Sequence, residues 1–323
     1  MELVRKMLAG DSVALSQLIT KVENDLIDIA EVMREIRSHL GHSYCVGITG
    51  PSGAGKSTLI EKLTTIIRER GFSTGMVMVD PTSPVSGGAL LGDRIRLQRH
   101  YLDEGVFMRS MASRGKHGGL SKKVQVVVKL LDSFGEDFIL VETTGVGQVE
   151  TDITGIADTS ILVLIPHAGD IIQAMKAGII ELADIFVINK ADLGKADYLA
   201  VDLDSVLRQR KKRDNWTPPI IEAEAINNVH IEQIYEAIEL HHQFLDKEGL
   251  FLQHRWKKEA KEFSSLVSEE LLAQLVKSFK DSERFKTYLN KVESGEMDPY
   301  SACKEMLNNR QTWEALQGFS REV

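Results

Sequence analysis

The stretch Gly50-Pro51-Ser52-Gly53-Ala54-Gly55-Lys56-Ser57 matches G-x-x-x-x-G-K-[ST] at every defined position. Glycines at these places let a backbone curl until successive N–H groups point inward at one anion, and a following helix adds the partial positive charge of its N-terminus. The ligand such a loop takes is a polyphosphate, cradled by Ser52, Gly53, Ala54, Gly55, Lys56, Ser57 and Thr58. Lys56 would reach the β- and γ-phosphates, and the Ser57 hydroxyl would ligate magnesium. Far downstream stands Asn189-Lys190-Ala191-Asp192. The Asp192 carboxylate can accept from both N1–H and the 2-amino group of guanine, a pair of donors that adenine lacks. Asn189 is placed to reach O6 and N7, with the Lys190 stem across the ring. The nucleotide implied is GTP. After the next apolar run, Glu224-Ala225-Ile226 occupies the place of a second base contact, where a Ser-Ala is usual, so the N–H of Ala225 is the group on offer.

Three acids have positions from which magnesium and water can be handled. Asp80 ends the run GMVMVD, Asp93 lies in GALLGDR, and Glu142 ends DFILVE. Magnesium takes oxygen ligands and keeps several waters, so some of these acids can act through water. Gly145, Val146 and Gly147 follow Glu142 closely, which suits a segment that moves when a γ-phosphate leaves. Gln148 is a candidate for orienting water or an ordinary loop residue. Taken singly, Asp93 reads equally well as a helix-capping or surface acid.

Those residues must be held by a scaffold, and the pattern describes one. Apolar runs at 44–49, 75–80, 137–142, 160–165, 184–190 and 218–223 alternate with helix-length segments. Strands apolar on both faces, separated by helices, predict an α/β fold of the P-loop NTPase kind, with a mainly parallel central sheet flanked by helices. Ahead of it, Leu15, Leu18, Val22, Leu26, Ile29, Met33, Ile36 and Leu40 recur at helical spacing, with Asp11 or Ser12 as the cap. Behind it, Phe263, Leu266, Val267, Leu271, Leu275 and Phe279 form another helical stripe, and 297–307 suggests a further helix. The expected organisation is a helical extension over 1–40, a nucleotide-binding domain over 41–246 and a helical arm over 247–323. The arm's apolar face has to pack back on the core or onto a partner.

Composition narrows the class. The net charge of −8 argues against a general nucleic-acid surface, and the basic run RQRKKR at 208–213 reads as the solvated end of a surface helix. Cys45 sits in an apolar run and reads as a buried thiol; with only Cys303 besides, no disulfide framework is expected, which fits a reducing cytosol. The opening MELVRKMLAGD mixes charges into its apolar residues and does not read as a signal peptide. No run approaches the roughly 20 apolar residues that span a bilayer. A cytoplasmic protein without a membrane partner is expected.

Taken together, the chain resembles the methylmalonyl-CoA mutase-associated GTPases of the MeaB/ArgK type. The matching stretches are GITGPSGAGKSTLI (47–60), VDPTSPVSGGALLGDRIRL (79–97), VETTGVGQVETDI (141–153), AGDIIQAMKAGIIELADIFVINKADL (168–193) and, more loosely, DPYSACKEML (298–307). The resemblance implies a GTP-hydrolysing chaperone that gates adenosylcobalamin loading and protects or reactivates a B12-dependent acyl-CoA mutase. It implies GTP or GDP and magnesium as ligands, no B12 site of the chain's own, and a homodimer joined through the C-terminal arm. It gives Asp80, Asp93 and Glu142 as magnesium and catalytic acids. It places Lys176, in the third-switch segment 167–178, near the nucleotide when the mutase is bound; there a cation would neutralise developing charge. Ile171 and Ala174 depart from the family pattern in that segment, which bears on partner coupling, and Thr144 for valine is minor.

Methylmalonyl-CoA mutase is the default partner, with isobutyryl- and hydroxyisobutyryl-type mutases as alternatives. A nickel metallochaperone would need a Cys/His cluster, whereas the cysteines are isolated and His241-His242 are consecutive on a helix, where neighbours do not share a face. A transport-system kinase would need a second substrate pocket with its own base, for which no motif is visible. Lys56→Ala is expected to abolish GTP binding, as read by fluorescence titration with a labelled GTP; an unchanged affinity would refute the loop assignment.

Overall fold

The computed structural model describes residues 2–80, 100–112, 119–143, 153–166, 178, 180–209 and 215–308, and of residues 80, 119–121, 154 and 278–281 the backbone alone. Strands β1 (Tyr44–Thr49), β2 (Thr74–Asp80), β3 (Val106–Ala112), β4 (Phe138–Glu142), β5 (Thr159–Leu164), β6 (Ile185–Asn189) and β7 (Ile220–Ala223) form one sheet in the order β3-β2-β4-β1-β5-β6-β7. Every neighbouring pair is parallel. Successive side chains on a strand point to opposite faces, so a sheet covered on both sides needs apolar residues at consecutive positions. Tyr44, Val46 and Ile48 of β1 enter one core and Cys45 the opposite one; Phe138 and Leu140 of β4 divide from Ile139 and Val141 in the same way.

The first core is closed by α4 (Lys56–Glu69), through Leu59, Leu63 and Ile67, and by α7 (Ile231–Lys247), through Ile231, Ile234 and Ile238. The opposite face is covered by α1 (Glu2–Leu8), α2 (Ser12–Glu23), α3 (Ile29–Ile36) and α5 (Gly119–Phe134). Under the β5–β6 end, Leu162, Leu164, Phe186 and Ile188 meet α6 (Ala196–Gln209). The N-terminal helices are therefore part of the sheet's cover, because their apolar stripe and the odd-numbered faces of β2 and β4 bury each other. The stripe expected over 11–40 is split into two α-helices with separate caps. Asp11 Oδ1 accepts from Val13 N and Ala14 N at 2.9 and 3.0 Å, and Asp28 Oδ1 accepts from Ala30 N at 2.8 Å.

Strand β3 has no counterpart among the apolar runs. It is an edge strand, mostly half-buried, and carries Arg109 and Ser110 in its middle. Arg109 faces α2, where it donates to Thr20 Oγ1 at 3.1 Å and pairs with Glu23. The strands otherwise fall on the apolar runs to within a residue or two, and Cys45 is buried.

A second compact unit, beginning at Arg255, is helical over its described residues. It holds most of α8 (Leu250–Asp281), together with α9 (Glu283–Glu293) and α10 (Pro299–Asn308). Ser282 Oγ caps α9 by accepting from Phe285 N at 3.1 Å, and Tyr288 OH donates to Glu305 Oε1 across α9 and α10 at 3.2 Å. Phe263, Leu266, Val267 and Leu271 on α8 are exposed. No described helix is long and apolar enough to cross a membrane.

Gly47, in the middle of β1, lies under the turn Ile153–Gly155. A Cβ there would sit 2.6 Å from Ile153 Cγ1 and 2.8 Å from Ala157 Cβ. Gly47→Ala is expected to destabilise the first unit by about 1–3 kcal/mol, the cost of overpacking a filled core. A thermal midpoint equal to wild type would show that the turn yields without cost.

Candidate nucleotide-binding site

Because the sheet is parallel, β1, β2, β4, β6 and β7 all deliver their last residues to one edge, where ligands of such sheets bind. The chain leaves β1 at Thr49 and enters the phosphate loop. Gly50 has φ +142°, and a Cβ on it would lie 2.0 Å from Val163 O of β5, so glycine is required by contact as well as by backbone. Gly55 has φ +89° and precedes α4 directly. Ala54 N donates back to Pro51 O at 3.2 Å and tightens the turn, while Ser52 and Gly53 at its tip are exposed. Lys56 is buried at the start of α4, and its Nζ donates to Gly50 O at 2.9 Å and Pro51 O at 3.1 Å. Its ammonium is thus held within the curl of the loop; Thr58, one residue past Ser57 on α4, is half-buried.

On the base side, β6 ends at Asn189, and Lys190 follows with φ 58° and ψ 43°, a left-handed backbone uncommon for a residue with a side chain. That bend starts the turn Ala191–Leu193 and leaves the Asp192 carboxylate exposed, where a base can reach it. Asn189 itself is only 2% exposed. Its Nδ2 donates to Ala54 O at 2.7 Å, and its Oδ1 accepts from Ala225 N at 3.0 Å. The sequence offered Asn189 and the Ala225 N–H to the guanine ring; the structure joins them to each other, and Asn189 also to the phosphate loop. Gly55 makes room for this, since a Cβ there would be 2.3 Å from Asn189 Nδ2. No local signal announces this bridge, because its partners lie 135 and 36 residues away. Glu224 is half-buried and bonded through Oε2 to Asn227 Nδ2 at 3.0 Å, and Ile226 is exposed.

On the metal side, Ser57 Oγ donates to Glu142 Oε1 at 2.9 Å, and both residues are buried. Two hard oxygen donors so close, next to a phosphate loop, are a donor set that suits magnesium. Asp80 ends β2 beside them: Met78 pairs with Glu142, which puts Asp80 two positions further along the neighbouring strand. Asp93, Lys176, Ile171, Ala174 and Gly145 to Gln148 lie outside the described residues.

The family model described as methylmalonyl-CoA mutase-associated GTPase MeaB matches residues 15–280 of this sequence. The chain belongs to the MeaB family. A Pyrococcus abyssi relative is 46% identical, with 95% of each chain covered. The GTPase ArgK of Escherichia coli is 30% identical, with 96% of each covered. Among solved structures, a protein titled LAO/AO transport system kinase aligns with a TM-score of 0.71 at 27% identity, covering 98% of this chain and 97% of its own. The MeaB-family chain is accordingly a GTPase with a P-loop fold.

Asn189→Ala removes a buried amide and leaves Ala54 O and Ala225 N–H without it. Each such loss costs about 1–3 kcal/mol, so GTP affinity is expected to fall by roughly tenfold or more. An Asn189→Ala chain that binds labelled GTP as wild type does would remove the bridge from the account of the site.

Proposed function

We propose that this MeaB-family GTPase is a chaperone of a B12-dependent acyl-CoA mutase, with methylmalonyl-CoA mutase as the partner, and that GTP binding and hydrolysis gate adenosylcobalamin loading and rescue of the damaged enzyme. The observation that carries the reading is the match to a mutase-associated family over residues 15–280, which contains every candidate site residue. The geometry of the described residues supports a part for this chain in hydrolysis. The phosphate loop and Lys56 bind the phosphates, Asp192 selects the base, and Asn189 keeps the two in register. Ser57 and Glu142, with Asp80 and Asp93, are the residues that would hold magnesium, which when bound neutralises charge on the β- and γ-phosphates. Lys176 is assigned the partner-dependent cation, which stabilises transition-state charge only when the mutase presents the third switch correctly.

The arm beginning near residue 247 is proposed to join two copies. The exposed Phe263, Leu266, Val267 and Leu271 on α8 support this, since a contiguous exposed apolar patch marks an interaction surface. The protein is read as cytoplasmic.

Lys176→Ala is expected to leave hydrolysis by the isolated chain nearly intact and to abolish most of its stimulation by methylmalonyl-CoA mutase, measured as phosphate release with and without mutase. Equal stimulation of mutant and wild type would count against the third-switch role. No stimulation of the wild type would turn the choice of partner toward the isobutyryl- and hydroxyisobutyryl-type mutases.

A further inference from the structure

Glu142 is the last residue of β4, and the register sets it opposite Ile48 of β1. The ladder continues one step beyond, with Thr143 N donating to Ile48 O at 3.1 Å. Past that step the side chains take over. Thr143 Oγ1 donates to Thr49 Oγ1 at 2.8 Å, and the two residues are 3% and 1% exposed. Thr49 immediately precedes the phosphate loop, and Ser57, which donates to Glu142, closes it. The end of β4 is thus tied to both ends of the loop by buried hydroxyls.

We propose that Thr143, through its hydrogen bond to Thr49, is a positioning residue that holds the Glu142 carboxylate at the Ser57 hydroxyl and so sets how readily the site takes a divalent cation with its nucleotide. This rests on the reading of Ser57 and Glu142 as magnesium-holding oxygens. Glu142 is paired to Ile48 and Met78, but the chain beyond it leaves the ladder, so its direction can pivot unless something else restrains it. Thr143 is β-branched and stiff at χ1, and its hydroxyl bond fixes that pivot inside the protein. Magnesium tolerates little departure from octahedral geometry, so a small drift of one oxygen weakens its hold more than it weakens the loop's grip on phosphate.

The test uses the full chain and a fluorescent GTP analogue, titrated first in chelator and then with rising magnesium. Thr143→Val keeps the side chain's shape and removes the hydroxyl. It is expected to bind GTP in chelator as wild type does, yet to need about tenfold more magnesium for half-maximal tightening, the size of one hydrogen bond. Thr143→Ser should restore the wild-type requirement. Thr49→Val should reproduce the defect, and the double variant should add nothing to it, as partners in one bond are non-additive. If Thr143→Val does not fold, Thr49→Val and Thr143→Ser carry the comparison. A wild-type magnesium requirement in both valine variants, an equal loss with and without magnesium, or additive defects would each overturn the proposal. A wild-type chain whose GTP binding ignores magnesium would instead overturn the magnesium reading beneath it.

Discussion

The amide of Asn189 is the joint on which the candidate nucleotide site depends. A GTPase must hold a ligand at two ends, with phosphates on one loop and base on another, and here β5 stands between the strands that carry those loops. Loops that end separate strands drift independently unless something rigid joins them. Asn189 does so with both ends of one buried side chain, donating to the phosphate loop at Ala54 O and accepting from the loop after β7 at Ala225 N. A buried amide satisfied at both ends is costly to disturb, so the spacing between the two loops is held within the protein itself.

The phosphate side follows the same rule. Charged groups are buried only with partners, and the buried Lys56 and Glu142 are both hydrogen-bonded within the site, Lys56 to the carbonyls of Gly50 and Pro51 and Glu142 to Ser57. The bonds made by Ser57 and by Thr143 tie the end of β4 to the start of α4 and to the end of β1. The sheet beneath supplies rigidity: its strands are packed from both faces, and the N-terminal helices close one of them.

Much of this was legible in the sequence. The phosphate loop and the guanine motif are contiguous strings whose chemistry is local, and the structure brings Ser57, near the start of α4, together with Glu142 at the end of β4. The six apolar runs are strands because a sheet buried on both faces needs uninterrupted apolar residues. β3 escaped that reading because an edge strand is half-buried and tolerates Arg109 and Ser110, which breaks the run. The division of the N-terminal stripe into α2 and α3 also escaped, since Leu26 and Ile29 keep helical spacing across the break.

The sequence by itself therefore determined the ligand's chemistry, the kind of sheet that presents it and the family to which the chain belongs. Only the tertiary structure decided what Asn189, Ala225 and Thr143 do. Asn189 turns inward to the two loops, the Ala225 N–H is given to it, and Thr143 meets Thr49 across two strands. The reason is physical: a motif's chemistry is carried by neighbours along the chain, whereas a hydrogen bond between strand ends depends on sheet order and register.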